Sequence, residues 1–233
     1  MQKNLVLVPG LNNTRAVFAR TVAALPPSVC GIAVDCPALP SVEAIADALL
    51  PALPERFWLG GFSFGGYVAL ALLESVPERI EGIALICTAS YADSPEQGEK
   101  RRKAMATARE GGYFDMIEAQ AANAFHPRNL QDADLMSERR AMVRAYGVER
   151  YLAHMQAVID RPDRSRLFDG SKPTLAVGGS HDRVFPEAMM RQVALDIPGA
   201  VLRIIAPAGH LVPMEQPREL ASALAHWMGV GSS

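Results

Sequence analysis

The chain has 233 residues, 49% of them apolar, and a formal net charge of −2. That length and composition suit one α/β domain with a large core and room for an insertion, and exclude a disordered chain. The small net charge gives no electrostatic footprint for nucleic acid or an anionic membrane. Cys30, Cys36 and Cys87 lack CxxC spacing and read as free thiols of a reducing compartment. The apolar run before Pro9 is four residues long, too short for a signal peptide, and no run reaches membrane-spanning length. A cytoplasmic location is expected.

"NLVLVPG" (4–10) is a continuous apolar run ending at Pro-Gly, the pattern of a strand buried on both faces. "NTRAVFARTVAALPP" follows as a helix, with Asn13 or Thr14 as its cap and Pro26-Pro27 as its stop. "VCGIAVDCPAL" reads as a second strand and "SVEAIADALLPAL", capped by Ser41, as a second helix. "RFWLGGFS" and "FGGYVALALLESVPERI" form the third strand–helix pair, and "EGIALICTAS" the fourth strand. Further on, "KPTLAVGGSHD" and "AVLRIIAPAGH" read as strands five and six. "PEAMMRQVALDI" and "QPRELASALAHWM" read as their helices, and "GVGSS" as a loose tail. Alternating strands and helices predict a mostly parallel sheet of about six strands with helices on both faces.

Residues 91–169 differ in composition. They hold 26 of the chain's 48 charged residues, 13 basic and 13 acidic. Strand signals vanish there. Ser94-Pro95 opens a helix, and Val148, Leu152, Met155 and Ile159 recur at helical spacing. A charge-dense helical segment between strands of a sheet predicts a surface insertion, a cap facing the loops at the strand ends. Residues 1–90 and 170–233 are then the core. The cap's Met105, Tyr113, Phe114, Met116, Met136, Met142 and Met155 are expected mostly to pack its own helices. Its arginines, balanced by acids, are expected to pair at the surface.

"GFSFG", Gly61 to Gly65, has the form G-x-S-x-G between a credible strand and a credible helix. A serine on so tight a turn has strained backbone angles, and side chains two residues either side of it would collide. The turn lifts the hydroxyl above the sheet and aims a helix N-terminus at the reacting centre, where N–H groups and the dipole favour negative charge.

A serine hydroxyl needs a base to become a nucleophile, and the base needs an orienting acid. Of the five histidines, His126 and His154 lie in the charged segment, where a surface position is expected. His226 sits in the last helix beside Trp227, where a structural role is expected. His181 adjoins Asp182 and would be poorly placed to bridge its own neighbour to Ser63. His210 follows the sixth strand in "APAGHLVPMEQP", with Gly209 freeing the backbone and Pro213 preventing an early helix. Asp182, in "VGGSHDRVFP" after the fifth strand, is placed beside that loop; Asp35, ending the second strand, is a second candidate acid. No HExxH, cysteine cluster, P-loop or G-x-G-x-x-G is present, so no metal or other cofactor is implied.

Taken together, "GFSFGG", "GGSHDRVFP" and "AGHLVPMEQP" resemble the nucleophile elbow, acid loop and histidine loop of the α/β-hydrolase superfamily, in its small cofactor-free, carboxylesterase-like branch with a helical cap. The resemblance spans nearly the whole chain. It implies a triad of Ser63, Asp182 and His210, and favours Asp182 over Asp35. It implies an oxyanion hole made by the N–H groups of Phe64 and Leu11, with Pro9 where the family commonly has a histidine. It also implies that the first two of the family's usual eight strands are missing. The expected activity is hydrolysis of a small, apolar carboxylic ester through an acyl-enzyme. The same machinery serves C–C hydrolases, lactonases, thioesterases and acyltransferases, and a non-hydrolytic small-ligand receptor is a different class on the same fold. The sequence is silent on acyl and alcohol specificity and on oligomeric state.

Overall fold

The computed structural model describes residues 2–230, so 231–233 of the expected tail lie outside the described residues. Six strands form one sheet: β1 (Lys3–Val8), β2 (Val29–Ala33), β3 (Phe57–Phe62), β4 (Ile80–Ile86), β5 (Thr174–Gly179) and β6 (Val201–Ile205). All neighbours are parallel, in the order β2-β1-β3-β4-β5-β6. The chain reverses its direction of travel across the sheet between β1 and β3. In parallel sheets that switch point opens a crevice at the carboxyl ends of the strands.

Strand periodicity divides the core. Val6 and Val8 point to one face, with α2 (Val42–Leu49), α3 (Phe64–Ser75) and α8 (Glu187–Asp196). Leu5 and Leu7 point to the other, with α1 (Ala19–Ala23) and α10 (Pro217–Trp227). Ser41 caps α2 by accepting the Ala44 N–H at 3.0 Å. The first helix is shorter than its sequence suggests. Thr14 caps a single 3₁₀ turn, Arg15–Phe18, which drives Phe18 down onto Phe62, and only then does α1 begin. No described helix is long and apolar enough to cross a membrane.

Between β4 and β5 the chain forms α4 (Pro95–Thr107), α5 (Tyr113–Ala119), α6 (Ala121–Ala124) and α7 (Ala133–Asp160). Ser94 and Gln97 close a capping box at the start of α4. Gly111 and Gly147 bend the path, with φ of 94° and 76°. These helices enclose their own apolar cluster, including Met105, Tyr113, Val143, Tyr146, Tyr151 and Met155, with Leu11 of the core against it. Residues 161–173 then descend from the top of the sheet to the start of β5. Two arginines on this stretch correct the expectation of surface pairing: Arg161 and Arg164 are buried. Arg161 shares Asp93 with Arg101, while Arg164 reaches Glu43 on α2 and Glu74 on α3 at 2.6 and 2.9 Å. Burial alone would raise the Asp93 pKa, but hydrogen bonds and charge from the two arginines hold it below the usual carboxylate range. The short α9 (Val212–Glu215) follows β6 and leads into α10.

Candidate active site

Ser63 sits between β3 and α3 with φ 51° and ψ −118°, a left-handed conformation that side-chain-bearing residues rarely hold. The flanking glycines are required by close approach. A Cβ at Gly61 would lie 2.5 Å from the Gly65 carbonyl oxygen, and one at Gly65 would lie 2.1 Å from that of Val8 at the end of β1. The elbow is thus wedged against the neighbouring strand as well as against itself.

His210 makes two different bonds with its two nitrogens. Nδ1 lies 2.8 Å from Asp182 Oδ2, and Nε2 lies 3.0 Å from Ser63 Oγ. Asp182 is buried, and its other oxygen, Oδ1, accepts the N–H groups of Val184 and Phe185 at 2.8 and 2.7 Å. A carboxylate fixed in this way accepts a hydrogen bond from the Nδ1–H of a neutral imidazole and leaves Nε2 as the acceptor facing the serine. The structure brings these three together from the ends of β3, β5 and β6, and places Asp35 elsewhere: it is exposed and accepts the Arg15 N–H at 2.7 Å.

The histidine loop is anchored by a residue the sequence reading passed over. Glu215 Oε1 accepts the Gly209 N–H at 2.8 Å; Oε2 accepts the His126 N–H and the Asn129 amide, both at 2.7 Å. Burial raises its pKa despite these three donors. The His210 N–H itself donates to Ala124 O on α6 at 2.8 Å. Glu215 stands five residues after His210 in the quoted motif, and an acid so placed was the available signal.

Leu11 and Phe64 face the same crevice as Ser63. Phe64 is the first residue of α3, where a helix leaves the N–H without an intrahelical partner. The Leu11 N–H donates to no other group among the described residues. The loop after β1 is held by Asn13, whose side-chain amide donates to Leu11 O at 2.6 Å, and it puts Asn12 at φ 61°.

His154 corrects the expectation of a surface position. It is wholly buried, stacked on Phe64 with centroids 4.6 Å apart, and bonded at both nitrogens: Tyr146 Oη at 2.6 Å and Pro37 O at 2.7 Å. Its local sequence does not signal this, because two of the three partners, Phe64 and Pro37, are distant in the chain. His126 and His181 meet edge to face near the histidine loop, and His226 is exposed on α10.

Cys87, Asp182 and His210 bring one ligand atom each within 4.8 Å of one another, the one such group among the described residues. They fit a metal poorly. Asp182 and His210 are bonded to each other, and burial first, then the Asp182 charge, raises the Cys87 pKa far above that of an ordinary thiol.

A cavity of about 710 Å³ opens over Ser63 and His210. Phe62, Tyr67, Tyr151, Val158 and Phe185 make much of its wall. Of the seven large apolar residues named above in 91–169, Met155 alone lines it; Phe114 is exposed, and the others pack in apolar clusters.

The sequence model of the alpha/beta hydrolase family matches residues 5–223. A pimeloyl-[acyl-carrier protein] methyl ester esterase of Aromatoleum aromaticum is 26% identical, over 94% of this chain and 95% of its own. Among solved structures, a thermophilic esterase of Thermogutta terrifontis, crystallised with malate, superposes with a TM-score of 0.91 at 28% identity, covering 100% of this chain and 92% of that one. The enol-lactonase of Burkholderia xenovorans superposes at 0.87 with 22% identity over 98% and 90% of the two chains, a likeness of fold.

Proposed function

The chain belongs to the alpha/beta hydrolase family, and from that premise we propose that it hydrolyses carboxylic esters of small molecules through an acyl-enzyme formed on Ser63. The observation that carries this reading is the His210 ring, bonded through one nitrogen to Ser63 and through the other to a buried carboxylate. Ser63 Oγ attacks the ester carbonyl carbon while its proton passes to His210 Nε2. The carbonyl π pair becomes an oxyanion held by the N–H groups of Phe64 and Leu11. The intermediate collapses, the alkoxide leaves and takes the proton from Nε2, and the acyl group stays on Ser63. Water then repeats the sequence, with His210 as base, and frees the acid. Asp182 holds the ring in the required tautomer and stabilises the imidazolium; it is not itself protonated.

The relative from A. aromaticum and the esterase from T. terrifontis, both named for ester hydrolysis, support an ester over the other acyl substrates open to this machinery. The cavity volume suits a small molecule, and its aromatic and aliphatic wall suits an apolar acyl or alcohol group. Three of the four arginines in that wall are committed, Arg101 and Arg161 to Asp93 and Arg139 to Glu118, while Arg183 lies exposed at its edge. The helices of 91–169 act as a cap that closes this cavity, and the steps above use the chain's own residues.

The test is labelling by a fluorophosphonate together with turnover of a chain-length series of p-nitrophenyl esters. Stoichiometric label on Ser63 with many turnovers supports the reading. Label without turnover favours a receptor that has kept its triad, and no label on the folded protein overturns the serine-hydrolase reading.

A further inference from the structure

The two backbone donors proposed for the oxyanion hole lie on separate segments of the core, the loop after β1 and the start of α3. Each is touched by a polar or aromatic side chain from the helices between β4 and β5. Tyr113, at the start of α5, donates from its hydroxyl to Asn12 Oδ1 at 3.0 Å, next in sequence to Leu11. His154, on α7, lies flat on the Phe64 ring, with planes 21° from parallel. His154 is in turn fixed to the core by its bond to Pro37 O and to the helical segment by Tyr146 on the same helix. Leu11 itself packs against the apolar cluster that contains Tyr113 and Tyr146. The contacts to Asn12, Leu11 and Phe64 fall on or beside residues of unfavourable backbone: Asn12 has φ 61° and Ser63, adjoining Phe64, has φ 51°. Such conformations persist where the surroundings over-determine them.

We propose that Tyr113 and His154 are positioning residues that clamp the two halves of the oxyanion hole, so that the helical segment sets the rate of the chemical step as well as covering the pocket. This rests on the ester-hydrolase reading and extends it. The physical reason is geometric. A preorganised donor works only when it sits about 2.7–3.1 Å from the place the oxyanion will occupy, and losing one donor typically lowers turnover by about 10²–10³. Leu11 and Phe64 present main-chain N–H groups, so no side chain of their own can re-aim them. Their aim is set by whatever holds the loop and the first turn of the helix. In this protein the Tyr113–Asn12 bond and the His154–Phe64 stack hold them from α5 and α7.

The clamp makes a prediction that simple packing does not. An interaction acting on the oxyanion alone lowers kcat and leaves ground-state binding intact. The experiment compares full-length wild type, Tyr113→Phe, His154→Ala and His154→Phe on p-nitrophenyl butyrate, with a straight-chain alkyl trifluoromethyl ketone as inhibitor. The ketone carbon bonds to Ser63 Oγ, the serine proton goes to His210, and the former carbonyl oxygen becomes an oxyanion in the hole. Tyr113→Phe keeps every ring contact and removes the hydroxyl, with its bond to Asn12 Oδ1 and its longer contact of 3.4 Å to Val143 O. It is expected to lower kcat by about 10- to 100-fold, a partial loss of one donor. KM should stay within about threefold, and the ketone should bind more weakly in the same proportion as kcat. His154→Ala should behave alike, and His154→Phe, which restores a ring over Phe64, should recover part of the loss. Wild-type kcat in folded Tyr113→Phe and His154→Ala would overturn the clamp and leave these residues with packing alone, as would raised KM with unchanged kcat. If wild type neither hydrolyses the ester nor bonds the ketone at Ser63, the ester-hydrolase reading fails and takes the clamp with it.

Discussion

The His154 ring lies on Phe64 while both of its nitrogens are engaged, and its burial favours the neutral imidazole. In the neutral ring the Nε2–H donates to Pro37 O and Nδ1 accepts from the Tyr146 hydroxyl. Burial lowers the pKa from 6.5 to about 4, with the Arg150 charge adding to the effect and the Pro37 carbonyl opposing it.

The sign of the resulting pH dependence follows. Between about pH 6.5 and 4 the unfolded chain binds a proton on His154 and the folded chain does not, so stability falls as pH falls through this window and levels below it. The loss amounts to about 3 kcal/mol at most, from about 1.4 kcal/mol per pH unit. Cys36, close by, is silent there, since a thiol titrates well above this window and burial pushes this one further, up to about 12. Urea melts at pH 7, 5.5 and 4.5 should show a steeper decline for wild type than for His154→Gln. Parallel declines would mean that the acid sensitivity lies elsewhere.

Ser63, His210 and Asp182 should fail as a unit. Ser63→Ala and His210→Ala are each expected to lower turnover by about 10⁴ to 10⁶, with the double variant little worse, and Asp182→Asn to cost somewhat less. Additive losses in the double variant would argue against a shared step, and a larger loss for Asp35→Asn than for Asp182→Asn would move the acid.

Glu215→Gln tests the anchor of the histidine loop. A carboxylate accepts all three of the donors that converge on it, from Gly209, His126 and Asn129. An amide turns an N–H₂ towards at least one of them. The expected cost is about 1–3 kcal/mol of stability, the usual penalty for a buried donor left unpaired. Turnover should also fall, because Gly209 adjoins His210. A melting temperature and kcat equal to those of wild type would show that the loop holds itself.

Asp93→Asn leaves Arg161 buried without its counter-charge and is expected to cost about 3 kcal/mol or more. Because Asp93 precedes α4 and Arg161 follows α7, the loss should loosen both ends of the helical segment together. Limited proteolysis should then cut within residues 91–169 sooner than in wild type, and an unchanged cleavage rate would contradict this.

Local patterns carried most of the fold. Each strand is a short apolar run, and caps such as Ser41 and Ser94 stand at the helix starts the sequence marks. The tight G-x-S-x-G turn and the two loops with acid and histidine were legible because each needs particular residues at fixed spacing. What stayed hidden depends on partners far along the chain. His154, Arg161 and Arg164 lie in a charge-dense stretch that reads as solvent-facing, yet each is buried by pairing with groups on other elements: Pro37, Asp93, Glu43 and Glu74. Periodicity identifies which face of a helix is apolar, but not which polar residue on it will find a buried partner.

The helical segment departs from the top of β4 and rejoins the sheet at the bottom of β5, the strand paired beside it. It is therefore the crossover between two parallel neighbours and cannot be clipped out like a loop with adjacent ends. A six-residue strand is about 20 Å long, so joining residue 87 directly to residue 174 would leave a gap no peptide bond can close. Any shortened or exchanged version must keep a descending leg equivalent to 161–173, and Arg164, tied to α2 and α3, marks where that leg is stitched to the core. Modularity in this protein therefore stops at residue 160: the helices above can be traded, while the thread below them belongs to the sheet.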